Sequence, residues 1–347
     1  MTLKYGFARL PVGGAKAGIM ASLDLPSHER KAMLQSFGVA LRPYLAGHIY
    51  VPGEDMGSSA DDIEELMRAA GMRPLPRSLM YAASGYYTGV GVCASAVAAA
   101  HHIGIDPADL RVVIEGFGAV GASAAMAFHQ LGAHVVAVST SKGGLRNDRG
   151  VDIPRLLELK TSLGNEVVNQ PEFGDLMPRE KLSSIPCDAF VPCAIMHSID
   201  MQRVPGFGAR LLVPGANVPC TDDAERVLTE RGVTVVPDFV SNCGGVLGSS
   251  ISRAGLSEAE VASVVARRVA DEVATLLSDA TANRRTIRAV ATELSTERFA
   301  LAKHSYERPS AVGRLFRLGV GLHRSGLIPR PLMAPVARWY FDQRWRR

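Results

Sequence analysis

Between Leu110 and Ser141, a β-branched run (Val112 to Ile114) meets Gly116-Phe117-Gly118-Ala119-Val120-Gly121, then a helix-forming stretch to about Leu131, then a second β-branched run (Val135 to Val138). Few chain geometries satisfy that order. A GxGxxG alone says little. One that leaves a strand, opens a helix and leads into another strand reads as the first βαβ unit of a dinucleotide-binding sheet. Gly116 allows the tight turn, Gly118 lets a pyrophosphate approach the backbone, and Gly121 lets the helix lie against the sheet. The unpaired amides of the helix N-terminus then face the phosphates. The expected fold is α/β, with a Rossmann-type dinucleotide-binding domain.

A chain of 347 residues has room for a second, smaller domain. Further strand-like runs occur at Cys187–Ile195, Arg210–Asn217 and Val233–Val246, each ending in a polar or glycine-rich turn. Parallel sheets place such turns together at the carboxyl ends of their strands, so Thr88, Asn217 and Asn242 are expected to converge on one cofactor. Upstream, the spacing predicts a helix with Ser27 as N-cap and a short strand entering a polar loop within His48–Ser59. Ser59 and Asp62 form a capping box for a helix ending near Gly71. SGYYTGVGVCASAVAAAHHIGI reads as a glycine-rich turn feeding a buried, alanine-rich helix, and from about Leu256 the chain is helical with Ser257 as cap.

Charge narrows the function classes. From Leu301 onward ten Lys/Arg face only Glu307 and Asp342, about +8; the whole chain carries +4, leaving about −4 for the rest. The body is not a nucleic-acid binder. The tail, which holds Trp339 and Trp345, suits an anionic membrane surface, an acidic partner or packing on its own protein. Cys93, Cys187, Cys193, Cys220 and Cys243 are scattered without a CxxC pair, so neither a disulfide framework nor a metal site is expected. His101 and His102 read as packing or cap residues. No stretch reaches the roughly 20 apolar residues that span a bilayer, and the amino terminus lacks a secretory pattern, which makes the cytoplasm the expected location.

One stretch stays open on these grounds: LPVGGAKAGI, with Lys16 among small residues. A phosphate-loop lysine needs a hydroxyl residue after it, and Ala17 stands there instead. The order of motifs supplies another reading. TLKYGFARLPVGGAKAGI, VPGEDMGSS, TGVGV, VIEGFGAVG, CDAFVPCA, PGANVPCT and PDFVSNCGGV, spread over roughly Thr2 to Ser250, resemble the glutamate/leucine/phenylalanine/valine dehydrogenase family of NAD(P)-dependent amino-acid dehydrogenases.

The resemblance implies reversible oxidative deamination of an L-amino acid to a 2-oxo acid and ammonia, by a homo-oligomer. It makes Lys16 the catalytic lysine and Asp55 the catalytic carboxylate. Lys4, twelve residues before Lys16, takes the substrate α-carboxylate. Thr88 and Asn217 lie on the nicotinamide side, and Asn242 is shared between substrate and ribose. Ser249 matches the contact to a side-chain carboxylate in glutamate-specific members. Gly116, Phe117, Gly118, Ala119, Val120, Gly121, Thr140 and Ala194 line the cofactor. An amine among small residues is easily desolvated, which lowers its pKa and lets it exchange protons near neutrality. It also stabilises a developing oxyanion, while a neighbouring carboxylate moves protons to and from the substrate nitrogen.

Family members carry further sequence before the first lysine motif. The expected organisation is therefore an amino-terminally incomplete α/β substrate domain over 1–84, the Rossmann-type domain over 85–255, and carboxyl-terminal helices with the basic tail over 256–347. The alternative is a catalytically impaired nucleotide-binding homologue acting as a regulatory or scaffold subunit. Local departures are Tyr87 for a small residue, Ala119 for asparagine and Pro214 for glutamate. After the second Rossmann strand the family commonly has an aspartate. This chain has Ser139-Thr140-Ser141-Lys142, which tilts the cofactor from NAD towards NADP.

Overall fold

The computed structural model describes residues 1–22, 25–47, 49–55, 57–74 and 84–345, in two units. One comprises Met1 and Gly13–Ala82, the other Thr2–Val12 and Ala83–Arg347. Arg346 and Arg347 of the basic tail, and the expected domain junction at 84/85 on its amino-terminal side, fall at or outside the described residues. Helix α1 (Thr2–Phe7) opens the chain yet packs in the second unit. Gly6 explains this, because a Cβ there would collide with the carbonyl oxygen of Ser295, so the two helices touch backbone to backbone.

In the first unit, α2 (Ser27–Ala46) and α3 (Ala60–Ala69) meet at Gly38, whose missing Cβ makes room for the Leu66 carbonyl. Leu45, Ile63, Leu66, Met67 and Ala70 form its small core. The capping box forms as expected: Asp62 N–H donates to the Ser59 hydroxyl at 3.3 Å, and Ser59 N–H to the Asp62 carboxylate at 2.8 Å. Arg30 on α2 adds a bond to Asp62 at 2.7 Å. Two expectations fail. Pro26, not Ser27, holds the cap position, and it offers no side-chain bond. Ile49–Val51 is not a strand, because Ile49 and Tyr50 bond back to the Tyr44 carbonyl at 2.9 and 3.2 Å and the chain turns off the end of α2.

The second unit carries the sheet. Helix α4 (Ser84–His102) precedes β1 (Arg111–Glu115), α5 (Ala119–Leu131) and β2 (His134–Thr140), which is the expected βαβ unit. Then come β3 (Gly143–Arg146), α6 (Ile153–Leu163), β4 (Asp175–Met177), β5 (Cys187–Pro192), β6 (Ala209–Leu212), α7 (Asp222–Glu230) and β7 (Thr234–Val235). Short helices α8 (Asp238–Ser241) and α9 (Gly244–Ile251) lead to α10 (Glu258–Ala282), α11 (Ile287–Glu307), α12 (Ala311–Arg324) and α13 (Arg330–Trp345). The strand order is β4-β3-β2-β1-β5-β6-β7, parallel from β2 through β7. Val112, Val113 and Ile114 are fully buried, which is why the central strands read as unbroken apolar runs.

The edge pair β3 and β4 is antiparallel and departs from the strand pattern of the sequence, since Gly143-Gly144 and a three-residue strand carry no β signal. The glycines before the alanine-rich run also belong to α4 itself rather than to a turn. They serve packing: a Cβ on Gly89 would come within 2.6 Å of the Ala124 nitrogen on α5, and one on Gly91 within 3.1 Å of Gly244. No helix among the described residues is long and apolar enough to cross a membrane.

Ser257 and Glu260 close a second capping box at the start of α10. Glu260 also pairs with Arg330 at 3.2 Å and with Arg338, so the tail is tied to α10. The Ser257 N–H, then its hydroxyl and the two guanidiniums, hold the Glu260 carboxyl at about 2 instead of 4.5. A folded-state pKa below the unfolded one stabilises fully above about 4.5 and is lost as pH falls towards 2. Glu260→Gln should therefore lower Tm by about 2 °C near neutral pH. Melts taken at decreasing pH should show that gap closing below pH 4.5.

Candidate active site

Pro11 to Ser22 forms an exposed loop without regular structure. Within it, the Lys16 ammonium makes an ion pair with the carboxylate of Asp55, 39 residues later. Each side chain is about half exposed, 50% and 52%, and partial burial pushes the Lys16 pKa down from its ordinary value. Asp55 is held by the turn that it opens. Its N–H donates to Ser58 Oγ at 2.9 Å, its carbonyl accepts from the Ser58 N–H at 3.0 Å, and Gly57 supplies the required φ of +80°. An amine and a carboxylate in direct contact can pass a proton between them.

A second constellation lies in the other unit. Lys4, 8% exposed, donates from Nζ to Asn217 Oδ1 at 2.8 Å. Asn242 donates from Nδ2 to the same oxygen at 3.1 Å and to the Ala216 carbonyl at 3.1 Å. The loop after β6 brings Asn217 here, and the end of α8 brings Asn242. Asn242 Oδ1 is buried without a hydrogen-bond partner, an acceptor waiting for a donor. Thr88 sits one turn into α4, its hydroxyl donating to the Ser84 carbonyl at 2.7 Å. Ser249 lies half-buried on α9, and Tyr87 is buried with its ring where a Cβ on Gly248 would stand.

The glycine loop has the spacing a dinucleotide needs. Gly116 has φ +95°, and a Cβ there would lie 2.8 Å from Ala194 Cα. A Cβ on Gly121 would run into the Gly116 carbonyl oxygen. Gly118 is the opposite case, with nothing within 4 Å of the Cβ position. Space is thus open at the middle glycine of the loop. Ala119 and Val120 begin α5 and offer backbone amides there. The ring of Phe117 is buried in the core and its N–H donates to the Ser139 carbonyl at 2.7 Å, so neither is open to a ligand. Thr140 is engaged by its own loop, donating to the Asn165 carbonyl at 2.6 Å.

Residue order alone missed two groups. Lys160 on α6 places its ammonium on the Phe117 carbonyl and 5.2 Å from the Phe117 ring centroid, and burial lowers its pKa. Its sequence context, LLELK, is that of any lysine on an amphipathic helix. The other is Glu115, buried at the end of β1, which takes Arg203 at 2.6 Å and so ties the segment after β5 to the glycine loop. Lys142 is paired with Glu166 at 3.2 Å.

The profile of the glutamate/leucine/phenylalanine/valine dehydrogenase family matches residues 83–306, and that of the Glu/Leu/Phe/Val dehydrogenase dimerisation domain matches residues 1–72. The NADP-specific glutamate dehydrogenase of Saccharolobus shibatae is 33% identical over 265 residues, 72% of this chain and 62% of that protein. The catabolic NAD-specific glutamate dehydrogenase of Bacillus subtilis is 34% identical over 261 residues, 71% and 60% of the two chains. The chain thus spans about three-fifths of the length of these curated relatives. Among solved structures, a hetero-hexameric glutamate dehydrogenase from Thermus thermophilus superposes with a TM-score of 0.73 at 27% identity, covering 87% of this chain and 76% of that one. The L-tryptophan dehydrogenase of Nostoc punctiforme shares the fold, with a TM-score of 0.61 at 20% identity over 87% and 80% of the chains.

Proposed function

Because the chain belongs to the glutamate/leucine/phenylalanine/valine dehydrogenase family, we propose that it catalyses the reversible NAD(P)-dependent oxidative deamination of an L-amino acid. The observation that carries this reading is the Lys16–Asp55 pair, two residues brought into contact from separate motifs. Lys4 neutralises the α-carboxylate of the substrate. Asp55 accepts a proton from its ammonium group. A bound nicotinamide would supply the acceptor for the hydride of the α-carbon. Lys16, its pKa lowered, then handles the proton of the water that attacks the resulting imine and stabilises the oxyanion that forms.

The open space at Gly118 and the unpartnered Asn242 Oδ1 fit a dinucleotide, whose pyrophosphate and ribose hydroxyl they would receive. Lys160 beside the glycine loop and the absence of an acid among residues 139–142 favour NADP. Ser249 remains the proposed contact for an acidic side chain. The profile of the dimerisation domain and the hetero-hexameric relative support an oligomer, which we take as one of identical chains, and the cytoplasm is the proposed location.

The test is a panel of L-amino acids offered to the purified protein with NAD or NADP, with nicotinamide absorbance as the readout. At least one should be turned over, with NADP the better acceptor. Cofactor binding with no turnover across the panel would overturn the enzymatic reading in favour of a regulatory or scaffold subunit.

A further inference from the structure

The family profile ends at residue 306, and beyond it α12 and α13 form a helical hairpin with its own surface. Helix α12 turns Gly313, Phe316 and Val320 inward. A second apolar row, Leu315, Leu318 and Leu322, runs along a different face at helical spacing, and Leu315 and Leu318 are 69% and 61% exposed. Helix α13 buries Met333, Ala334 and Ala337 and leaves Leu332, Val336 and Trp339 outward at i, i+4 and i+7. Leu327, in the connection between them, is 73% exposed. The exposed leucine row of α12 marks an interaction face.

Charge selects the partner. No Asp or Glu occurs between Glu307 and Asp342, a stretch that holds six arginines. Arg330 and Arg338 are taken up by Glu260, and Arg317 stacks on Tyr306 at 4.3 Å while donating to its carbonyl. Arg314, Arg317 and Arg324 share a face of α12 beside the leucine row. Exposed leucines, bordered by arginines and free of acids, match the boundary between anionic headgroups and acyl chains. A second copy of the same face would set these arginines against their own counterparts, because a two-fold contact pairs a surface with itself. Neither helix is long and apolar enough to span a bilayer.

We propose that this hairpin docks the protein peripherally on an anionic lipid surface, with Leu315 and Leu318 in the acyl boundary and the α12 arginines on the lipid phosphates. The full-length protein should float with vesicles of phosphatidylcholine and phosphatidylglycerol. Partitioning should be about twenty-five-fold stronger than with phosphatidylcholine alone, since Arg314 and Arg324 contribute about fivefold each, and added salt should weaken it. Leu315→Glu with Leu318→Glu should abolish flotation while Tm and cofactor binding stay as in the parent protein. Three results would overturn the assignment: no flotation with anionic vesicles, equal flotation with both compositions, or undiminished flotation of the double variant. Should the parent fail to float while the double variant forms a smaller assembly in solution, the face belongs to a second copy instead.

Discussion

Lys16→Met lowers turnover by about 10⁴-fold and leaves NAD(P) affinity within about a factor of two of the parent. The size comes from two losses. Removing a positioned proton donor or acceptor costs about 10²–10⁴ in rate, and removing a cation aimed at a developing oxyanion costs about 10²–10³. The cofactor is spared because Lys16 belongs to the loop of the first unit, whereas the glycine loop belongs to the second. Stability changes little, since an ion pair with both partners half exposed contributes about 0–1 kcal/mol. Lys16→Arg separates the two roles. Arginine keeps the charge beside Asp55 but does not give up its proton, so turnover should stay low if proton exchange matters most. Stopped-flow kinetics on Lys16→Met and Lys16→Arg, with cofactor titration alongside, read both quantities.

Gly121→Val abolishes cofactor binding and destabilises the fold by about 3 kcal/mol. The first atom the new side chain meets is the Gly116 carbonyl oxygen, which is backbone, and Cys193 Cβ stands only 3.3 Å from the Cβ position on another side. Helix α5 has to lift from the sheet, and the loop it opens loses its shape. Gly118→Ala makes the contrast. Its φ of −79° suits alanine and its Cβ meets open space. That variant should melt within about a degree of the parent and still bind cofactor more than tenfold more weakly, because the methyl occupies the pyrophosphate approach. Thermal melts and fluorescence titration of both variants separate folding from binding.

How much of this could be read from residue order depended on the range of the interactions. The β1–α5–β2 unit was legible because its signals are local: two β-branched runs, three glycines and a helix within about thirty residues. Both capping boxes were legible for the same reason. Segments whose state is set by partners were not. Ile49–Val51 has β-branched residues yet bonds to Tyr44, and Gly143–Arg146 lacks strand formers yet pairs with β2. The glycines of α4 read as a turn because a helix interior normally excludes them; here their cost is offset by close packing on α5 and α9.

The candidate site divides along the same line. The pairing of Lys4 with Asn217 spans 213 residues, and nothing in their spacing announces it. Their roles came from the resemblance, and the hydrogen bonds show the two side chains together. Lys160 escaped because α6 is an ordinary amphipathic helix until the sheet carries its end to the glycine loop. Phe117 was expected among the cofactor contacts; its side chain is core, its N–H bonds the Ser139 carbonyl and its carbonyl takes Lys160.

The central claim is that hydride leaves the α-carbon of an amino acid, and an isotope tracks that atom directly. An L-amino acid that supports turnover would be supplied deuterated at its α-carbon, and the reduced cofactor isolated for mass analysis. The predicted result is one deuterium on the nicotinamide ring, with 2-oxo acid and ammonia formed in equal amounts. Reduced cofactor without deuterium, or no reduction by any amino acid where cofactor is bound, contradicts it.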